Sequence, residues 1–149
     1  MKCECLIELI TLLVTFAGFV ITIYTIKKSR ADLRIKNALE LKKNLNDFRE
    51  INHKLFPGGA WNEIGFNLNQ ISNAEFSDFN SYLGYFEIAK FMLDNGSLSE
   101  REFRTFFYYR LSNISNCTAA MENIQDNIGS WRDLIALMQI FNLIAEIEN

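Results

Sequence analysis

The residues with the greatest capacity for chemistry are few in this chain of 149 residues. Its single histidine, His53, follows Glu50 by three positions, and Glu-x-x-His on a helix is the spacing with which di-iron helical bundles hold metal. Such a site needs two copies of the motif, and the second copy is absent from the sequence. We therefore predict that His53 lies on a helix surface and that the chain has no metal site.

Other kinds of catalytic or cofactor site are also missing from the sequence. Three scattered cysteines and one histidine do not match the ligand spacing of a zinc site. The turn Pro57-Gly58-Gly59 lacks the Gly-Lys-Ser/Thr ending of a phosphate-binding P-loop. No serine or cysteine has a matching histidine for a catalytic triad. We therefore expect neither an enzyme activity nor a cofactor.

Glu87 is the carboxylate with the most unusual predicted surroundings. It lies inside the aromatic run of residues 85–89, next to a predicted buried helix face. A buried carboxylate requires a cation as partner, so if Glu87 is buried we expect it to pair with Arg104 or Arg110. This structural pair is favoured over a catalytic role.

An uncharged apolar run from Leu9 to Ile26 dominates the first part of the chain. About 18 apolar residues span a hydrocarbon core of roughly 30 Å. A cleaved signal peptide would have a shorter apolar core and a small-residue cleavage site, whereas this run is followed directly by Lys27, Lys28 and Arg30. The pattern therefore favours an uncleaved transmembrane helix, with the lipid bilayer as its first partner.

Charge predicts the orientation of this helix. Residues 27–56 carry nine basic and four acidic side chains, and residues 57–149 carry five basic and twelve acidic ones. Because basic flanks stay in the cytoplasm, we expect the inner membrane, the N-terminus outside and the C-terminal domain in the cytoplasm. An acidic domain argues against nucleic-acid binding. The candidate contacts to anionic lipid headgroups are Lys27, Lys28, Arg30 and Arg34.

Small and polar residues inside the apolar run follow one another at alternating spacings of three and four, which places them on one helix face. We call this set the polar stripe: Glu8, Thr11, Thr15, Gly18, Thr22, Thr25 and Ser29. Such residues let membrane helices pack closely, which would produce a homo-oligomer or a contact with another membrane helix. Alternatively, each threonine hydroxyl bonds to its own preceding turn and no partner is needed.

Four residues of the anchor region and the domain carry further predictions. Glu8 lies at the outer edge of the span, where a boundary role is favoured over an ion or proton site. Cys3 and Cys5 lie just outside the span and could cross-link a dimer in an oxidising compartment, or stay reduced. Cys117 is expected to be a small apolar core residue.

The helix of the span is expected to continue into the soluble part. Residues 27–55 contain no proline and no glycine, and apolar positions recur at helical spacing up to the Phe56-Pro57 stop: Ala38, Leu41, Leu45, Phe48, Asn52 and Leu55. This face is out of phase with the polar stripe, so one coiled coil through both is not expected. We predict that it packs against the chain's own domain.

The remaining sequence predicts further helices and no strands. One fits Glu75 to Asp94 and ends at Asn95-Gly96. Ser99 and Glu102 form a capping box that opens the next helix, and Ser130 is expected to cap a last helix from Trp131 to Glu146. The predicted fold class is all-α, with an anchor (1–26), a basic juxtamembrane amphipathic helix (27–56) and an acidic, Phe-rich helical domain (57–149), about four cytoplasmic helices in all.

The centre of the chain resembles a bacterial family of small single-pass membrane proteins known as a domain of unknown function. The resemblance rests on Tyr82-Leu83-Gly84-Tyr85-Phe86-Glu87-Ile88-Ala89, on Asn95-Gly96-Ser97-Leu98-Ser99-Glu100 and on Phe103, Phe106 and Phe107. Gly84 replaces an asparagine of the family pattern, and Leu98-Ser99-Glu100 replaces Ile-Asp-Glu. The resemblance implies a membrane protein of a bacterium, a phage or a mobile element, without an established activity. It makes Tyr85, Phe86 and Glu87 the positions to test.

Two functions agree with these features. The first is a membrane-tethered helical interaction module, whose domain binds a protein partner at the cytoplasmic face. The alternative is a membrane-acting effector of the phage-exclusion or growth-arrest type, which works through oligomerised anchors.

Overall fold

The computed structural model describes the backbone of residues 2–145 and the side chains of residue 8 and residues 11–145. Over this range the chain is helical, without a β-strand. The predictions for Cys3, Cys5 and the helix end at Glu146 lie outside these described parts. The helices are α1 (Lys2–Asn46), α2 (Arg49–Leu55), α3 (Asn73–Asp94), α4 (Glu100–Phe106), α5 (Tyr108–Asn116), α6 (Thr118–Asp126) and α7 (Arg132–Ile140), with single 3-10 turns at Ala60–Asn62 and Leu68–Gln70.

Helix α1 forms both the apolar span and the first helix of the domain core. All residues from 11 to 30 are exposed, whereas Ala38, Leu41 and Leu45 are buried. These three side chains recur at helical spacing, so one face of the helix packs against α3 and α4. The prediction that this face packs on the chain's own domain is confirmed.

The predicted uninterrupted helix to Leu55 is wrong at one point, because α1 ends at Asn46 and α2 begins at Arg49. The Asp47 and Phe48 N–H groups donate to the carbonyls three residues before them, at 3.1 and 3.3 Å, which tightens the last turn. The chain bends there, and the Phe48 ring packs against the Tyr82 and Tyr85 rings at centroid distances of 6.1 and 5.5 Å. Helix α2 does stop before Pro57, as predicted.

The turn after α2 depends on a glycine that lies against backbone. A Cβ atom on Gly59 would lie 2.5 Å from the Lys54 carbonyl oxygen and still closer to that of His53. Backbone atoms of a helix end cannot move aside as a flexible side chain would. Gly59 therefore allows the chain to pass directly under the C-terminus of α2.

We expect Gly59→Ala to lower the free energy of unfolding by about 3 kcal/mol, the upper range for a steric insertion. Gly84→Ala is the matched control, because Gly84 lies inside α3 with nothing within 4 Å of an added Cβ atom. Alanine there should raise stability by about 0.5–1 kcal/mol through helix propensity. Urea unfolding of the full chain in mild detergent, followed by tryptophan fluorescence, measures both. Equal effects of the two substitutions would contradict the close approach at Gly59.

Helix α3 is the centre of the core and packs most extensively against α7. Its buried side chains are Phe79, Tyr82, Leu83, Phe86 and Ala89, which recur at helical spacing and lie on one face. Aromatic rings make many of the contacts: Trp61 meets Phe79 edge-on at 5.3 Å, and Phe103 stacks on Phe141 at 4.5 Å.

The C-terminal half contains more helix breaks than the sequence indicated. The capping box is confirmed, since the Glu102 N–H donates to Ser99 Oγ and the Ser99 N–H donates to Glu102 Oε2. The helix that it opens is interrupted at Phe107 (φ −128°, ψ −21°), which separates α4 from α5. The domain therefore has six helices after α1 among the described residues, where about four were expected.

The last helix is shorter than predicted, and its cap differs. Trp131, not Ser130, is the N-cap of α7, and its side chain makes no capping bond. The helix ends at Ile140 because Asn142 adopts a left-handed conformation (φ 56°). The Leu143 N–H then donates to the Met138 carbonyl at 2.9 Å, and the Asn142 N–H donates to the Gln139 carbonyl at 2.9 Å. This is the Schellman arrangement that ends many helices.

Candidate functional site

The polar stripe lies along the exposed part of α1. Three of its hydroxyls donate to carbonyls four residues earlier: Thr15 to Thr11 at 2.8 Å, Thr22 to Gly18 at 2.8 Å and Thr25 to Ile21 at 2.9 Å. These bonds satisfy the hydroxyls without a second helix. Association through the stripe, and the effector function that depends on it, stay predictions.

The four candidate lipid contacts divide into two groups. Lys27, Lys28 and Arg30 are exposed directly after the apolar run, where headgroups would lie. Arg34 is half-buried, and its Nε atom lies 3.7 Å from Glu102 Oε1 on α4. Arg34 therefore also contacts the domain, and the headgroup contacts of all four residues stay predictions.

The three family-motif residues point in different directions from α3. Phe86 is fully buried and meets Tyr82 edge-on at 5.4 Å. Tyr85 is half-buried against Phe48. Glu87 is half-buried on the side that faces α7. The three side chains therefore do not converge on one site.

Glu87 makes no hydrogen bond or ion pair with any side chain in the described part of the chain. The two cations expected as partners are used elsewhere. The Arg104 guanidinium lies 4.7 Å from the centre of the Phe141 ring, and Arg110 donates to the end of α1. Partial burial, together with the charge of Asp133 on α7, raises the pKa of Glu87 above its ordinary value.

This raised pKa gives a pH-dependent prediction. Since the folded-state pKa of Glu87 exceeds the unfolded one, the protonated form favours the folded state. The contribution of protonated Glu87 to the free energy of unfolding is complete below the unfolded-state pKa and is lost as pH rises through the folded-state pKa. We expect Glu87→Gln to raise the free energy of unfolding at neutral pH. The gain should be at most about 0.5 kcal/mol, because the side chain is partly exposed to solvent. At acid pH the substitution should not change the free energy of unfolding. Unfolding curves at neutral and acid pH test this, with the exposed Glu122→Gln as control; a gain that grows in acid would contradict it.

A buried arginine joins α5 to the end of α1. Arg110 is 6% exposed. Its guanidinium donates to the Leu45 carbonyl at 2.6 Å, to Asn46 Oδ1 at 2.8 Å and to the Tyr109 hydroxyl at 2.9 Å. The last carbonyls of a helix lack intrahelical donors and carry partial negative charge. Arg110 therefore caps the C-terminus of α1 from a distant part of the sequence.

Three more polar residues are buried beside Arg110. The Tyr82 hydroxyl donates to Asn52 Oδ1 at 3.1 Å, and Asn113 Nδ2 donates to the same oxygen at 3.4 Å. Burial raises the pKa of Tyr82, and nearby Arg110 opposes this shift only in part. The phenol therefore stays protonated and available as a donor at neutral pH.

A cavity of about 580 Å³ opens over this polar cluster, and we call it the Arg110 cavity. Its walls come from the end of α1, from α2 and from α5. The lining residues are Asn46, Arg49, Asn52, His53, Phe56, Tyr109 and Arg110. The lining includes three basic side chains and no carboxylate among the described residues.

A protein-family model matches most of the chain. The model of Domain of unknown function (DUF4760) matches residues 12–124. The chain belongs to this family. The resemblance predicted from the residues around Tyr85, Phe86 and Glu87 is thus confirmed. No curated protein and no solved structure gives a significant match.

The DUF4760 segment contains both the apolar part of α1 and the polar cluster. It begins inside the apolar run and ends in α6, so it includes all residues that line the Arg110 cavity. Helix α7, which packs against α3, lies beyond it. Most of the apolar part of α1 and the helices up to α6 therefore fall within one family unit.

The polar cluster of this DUF4760 domain was missed by sequence reasoning. One signal was present, because Asn52 occupies an apolar position of the predicted helix face and a buried amide needs a partner. The partner residues Tyr82 and Asn113 are 30 and 61 positions away. Arg104 or Arg110 was predicted to pair with Glu87 if that carboxylate is buried, because the acceptors of Arg110 on α1 become visible only in the folded chain.

Proposed function

We propose that this chain is a single-pass protein of the inner membrane, with its N-terminus outside, and that its helical domain binds a protein partner in the cytoplasm. The observation that carries the proposal is the continuity of α1. Among the described residues, one helix is long and apolar enough to span a membrane. The same helix supplies buried core residues of the domain. The domain is thus a direct extension of the span, with no linker between them.

The charge distribution supports the proposed orientation. Nine basic side chains lie in residues 27–56, and Lys27, Lys28 and Arg30 are exposed directly beside the apolar run. Basic side chains in this position keep a flank in the cytoplasm. Protease added outside intact cells should therefore leave the domain uncut; digestion of the domain would reject this orientation.

An exposed apolar surface on α3 supports the proposed partner. Ile88 and Phe91, three positions apart on one face, are 49% and 65% exposed. Beside them, a groove of about 210 Å³ runs between α3 and α1 and includes Leu41 and the acidic Glu40. We infer that the partner presents apolar and basic side chains to this groove. No enzyme activity is part of the proposal.

Site-specific photo-crosslinking in intact cells tests the partner. A photoreactive amino acid replaces Phe91 in one variant and Ile128, which is exposed elsewhere, in the matched control. We expect a discrete adduct with a different protein from position 91 alone, and we expect Ile88→Ser to remove it. Adducts of equal yield from both positions, no adduct at position 91, or an adduct of two copies of this chain would reject the proposal.

A further inference from the structure

We propose that the Arg110 cavity binds a soluble phosphate monoester that carries a planar ring, such as a nucleoside monophosphate. The cavity combines a buried guanidinium, two further basic side chains and two exposed aromatic rings. This site is independent of the groove between α1 and α3, which has different lining residues.

The first argument is charge. Arg110, Arg49 and His53 line the cavity, and no described carboxylate lies within ion-pair distance of any of them. Arg110 is compensated only by neutral acceptors, namely a carbonyl, an amide oxygen and a hydroxyl. A buried charge is best balanced by an opposite charge with hydrogen-bonding geometry. A phosphate group would supply both.

The second argument is the number of free donors. A guanidinium has five N–H groups. Arg110 directs three of them to Leu45, Asn46 and Tyr109, and the Tyr82 hydroxyl also lies close to this guanidinium. The Arg49 side chain is exposed and makes no hydrogen bond or ion pair with the described part of the chain. Two arginines with unused N–H groups in one cavity are suited to the oxygens of a phosphate.

The third argument is size and shape. The volume of about 580 Å³ falls in the range of small-molecule sites and exceeds that of a phosphate ion. Phe56 and Tyr109 line the same cavity and are 52% and 51% exposed. Exposed aromatic rings beside a phosphate site can stack on a planar ring of the ligand. The lining therefore fits a ligand that has both a phosphate group and a planar ring.

The position along α1 favours a soluble ligand over a lipid headgroup. Asn46 at the cavity lies 20 residues beyond Ile26 at the end of the apolar run. At about 1.5 Å per residue, a helix covers about 30 Å over that length. Headgroups at the end of the span are therefore far from the cavity when α1 stands upright.

The test uses the full chain in nanodiscs of phosphatidylcholine, titrated by calorimetry with adenosine monophosphate, inorganic phosphate and adenosine. We expect saturable binding of adenosine monophosphate, at least tenfold tighter than that of either fragment and weaker at high salt. Arg49→Gln and Tyr109→Ala should each weaken it at least tenfold. Arg101→Gln, an exposed arginine on α4, is the matched control and should leave binding unchanged. Arg49 is chosen because its substitution removes no hydrogen bond or ion pair within the described part of the chain.

Four results would overturn the inference. They are no saturable binding of adenosine monophosphate, equal binding of adenosine, affinity unchanged by Arg49→Gln and Tyr109→Ala, or affinity lowered equally by Arg101→Gln. Nanodiscs with phosphatidic acid provide the lipid arm of the experiment. Arg49-dependent binding to these nanodiscs, without binding of the soluble nucleotide, would reassign the cavity to a headgroup and reject a soluble ligand.

Discussion

Replacement of Phe86 with alanine is expected to lower the free energy of unfolding by about 4 kcal/mol, the range measured for large aromatic-to-alanine changes in cores. The Phe86 ring is fully buried on α3 and meets Tyr82 edge-on. Its removal leaves a cavity in the part of the core that α3 builds. Urea unfolding of the full chain in mild detergent measures the loss. Trp61 and Trp131 report on the domain alone, because α1 contains no tryptophan.

Tyr85→Ala is the matched comparison, since Tyr85 is the neighbouring motif residue and is only half-buried. It loses a ring contact with Phe48 and should cost about 1 kcal/mol. A much larger loss of free energy of unfolding for Phe86→Ala than for Tyr85→Ala would show that Phe86 contributes to the motif through core packing. Equal losses would mean that Phe86 is not the core residue described above.

Replacement of Arg110 with glutamine is expected to cost about 3 kcal/mol. The change removes three charge-assisted hydrogen bonds and leaves the Leu45 carbonyl only the longer bond from the Phe48 N–H, at 3.3 Å. Arg110→Lys should recover only part of the loss, because an ammonium cannot reproduce the fork of a guanidinium. The same urea experiment measures both variants.

Arg104→Gln is the control for the loss of an arginine as such. Arg104 is exposed, and its guanidinium lies over the Tyr108 and Phe141 rings without a hydrogen bond or ion pair to the described part of the chain. Its replacement should cost about 0.5–1 kcal/mol. If Arg110→Gln were no more destabilising than Arg104→Gln, the cap at the end of α1 would contribute nothing to stability.

The helices that sequence predicted well are those with a local signal. The apolar positions Ala38, Leu41 and Leu45 recur at helical spacing and are buried. The capping box of Ser99 and Glu102 needs only four consecutive residues. The turn at Pro57 is likewise encoded where it occurs. Such features could be predicted because their partners are close in the chain.

The features that sequence did not predict depend on distant partners or on a rare backbone conformation. The end of α1 is capped by an arginine 65 residues away. The end of α7 rests on a left-handed asparagine, Asn142; asparagine adopts this conformation more readily than most residues, but its presence alone does not fix where a helix ends. The cavity joins residues of three helices, so its basic lining does not appear as a motif.

The continuity of α1 has a mechanical consequence. The helix has no break between Ile26 and Asn46. If its apolar part spans a bilayer as proposed, a change in its inclination would move the domain at its other end like a lever. Over an arm of about 30 Å, a 10° inclination moves its tip by about 5 Å. A change in bilayer thickness that tilts α1 would therefore displace the helical domain, together with any molecule bound to it.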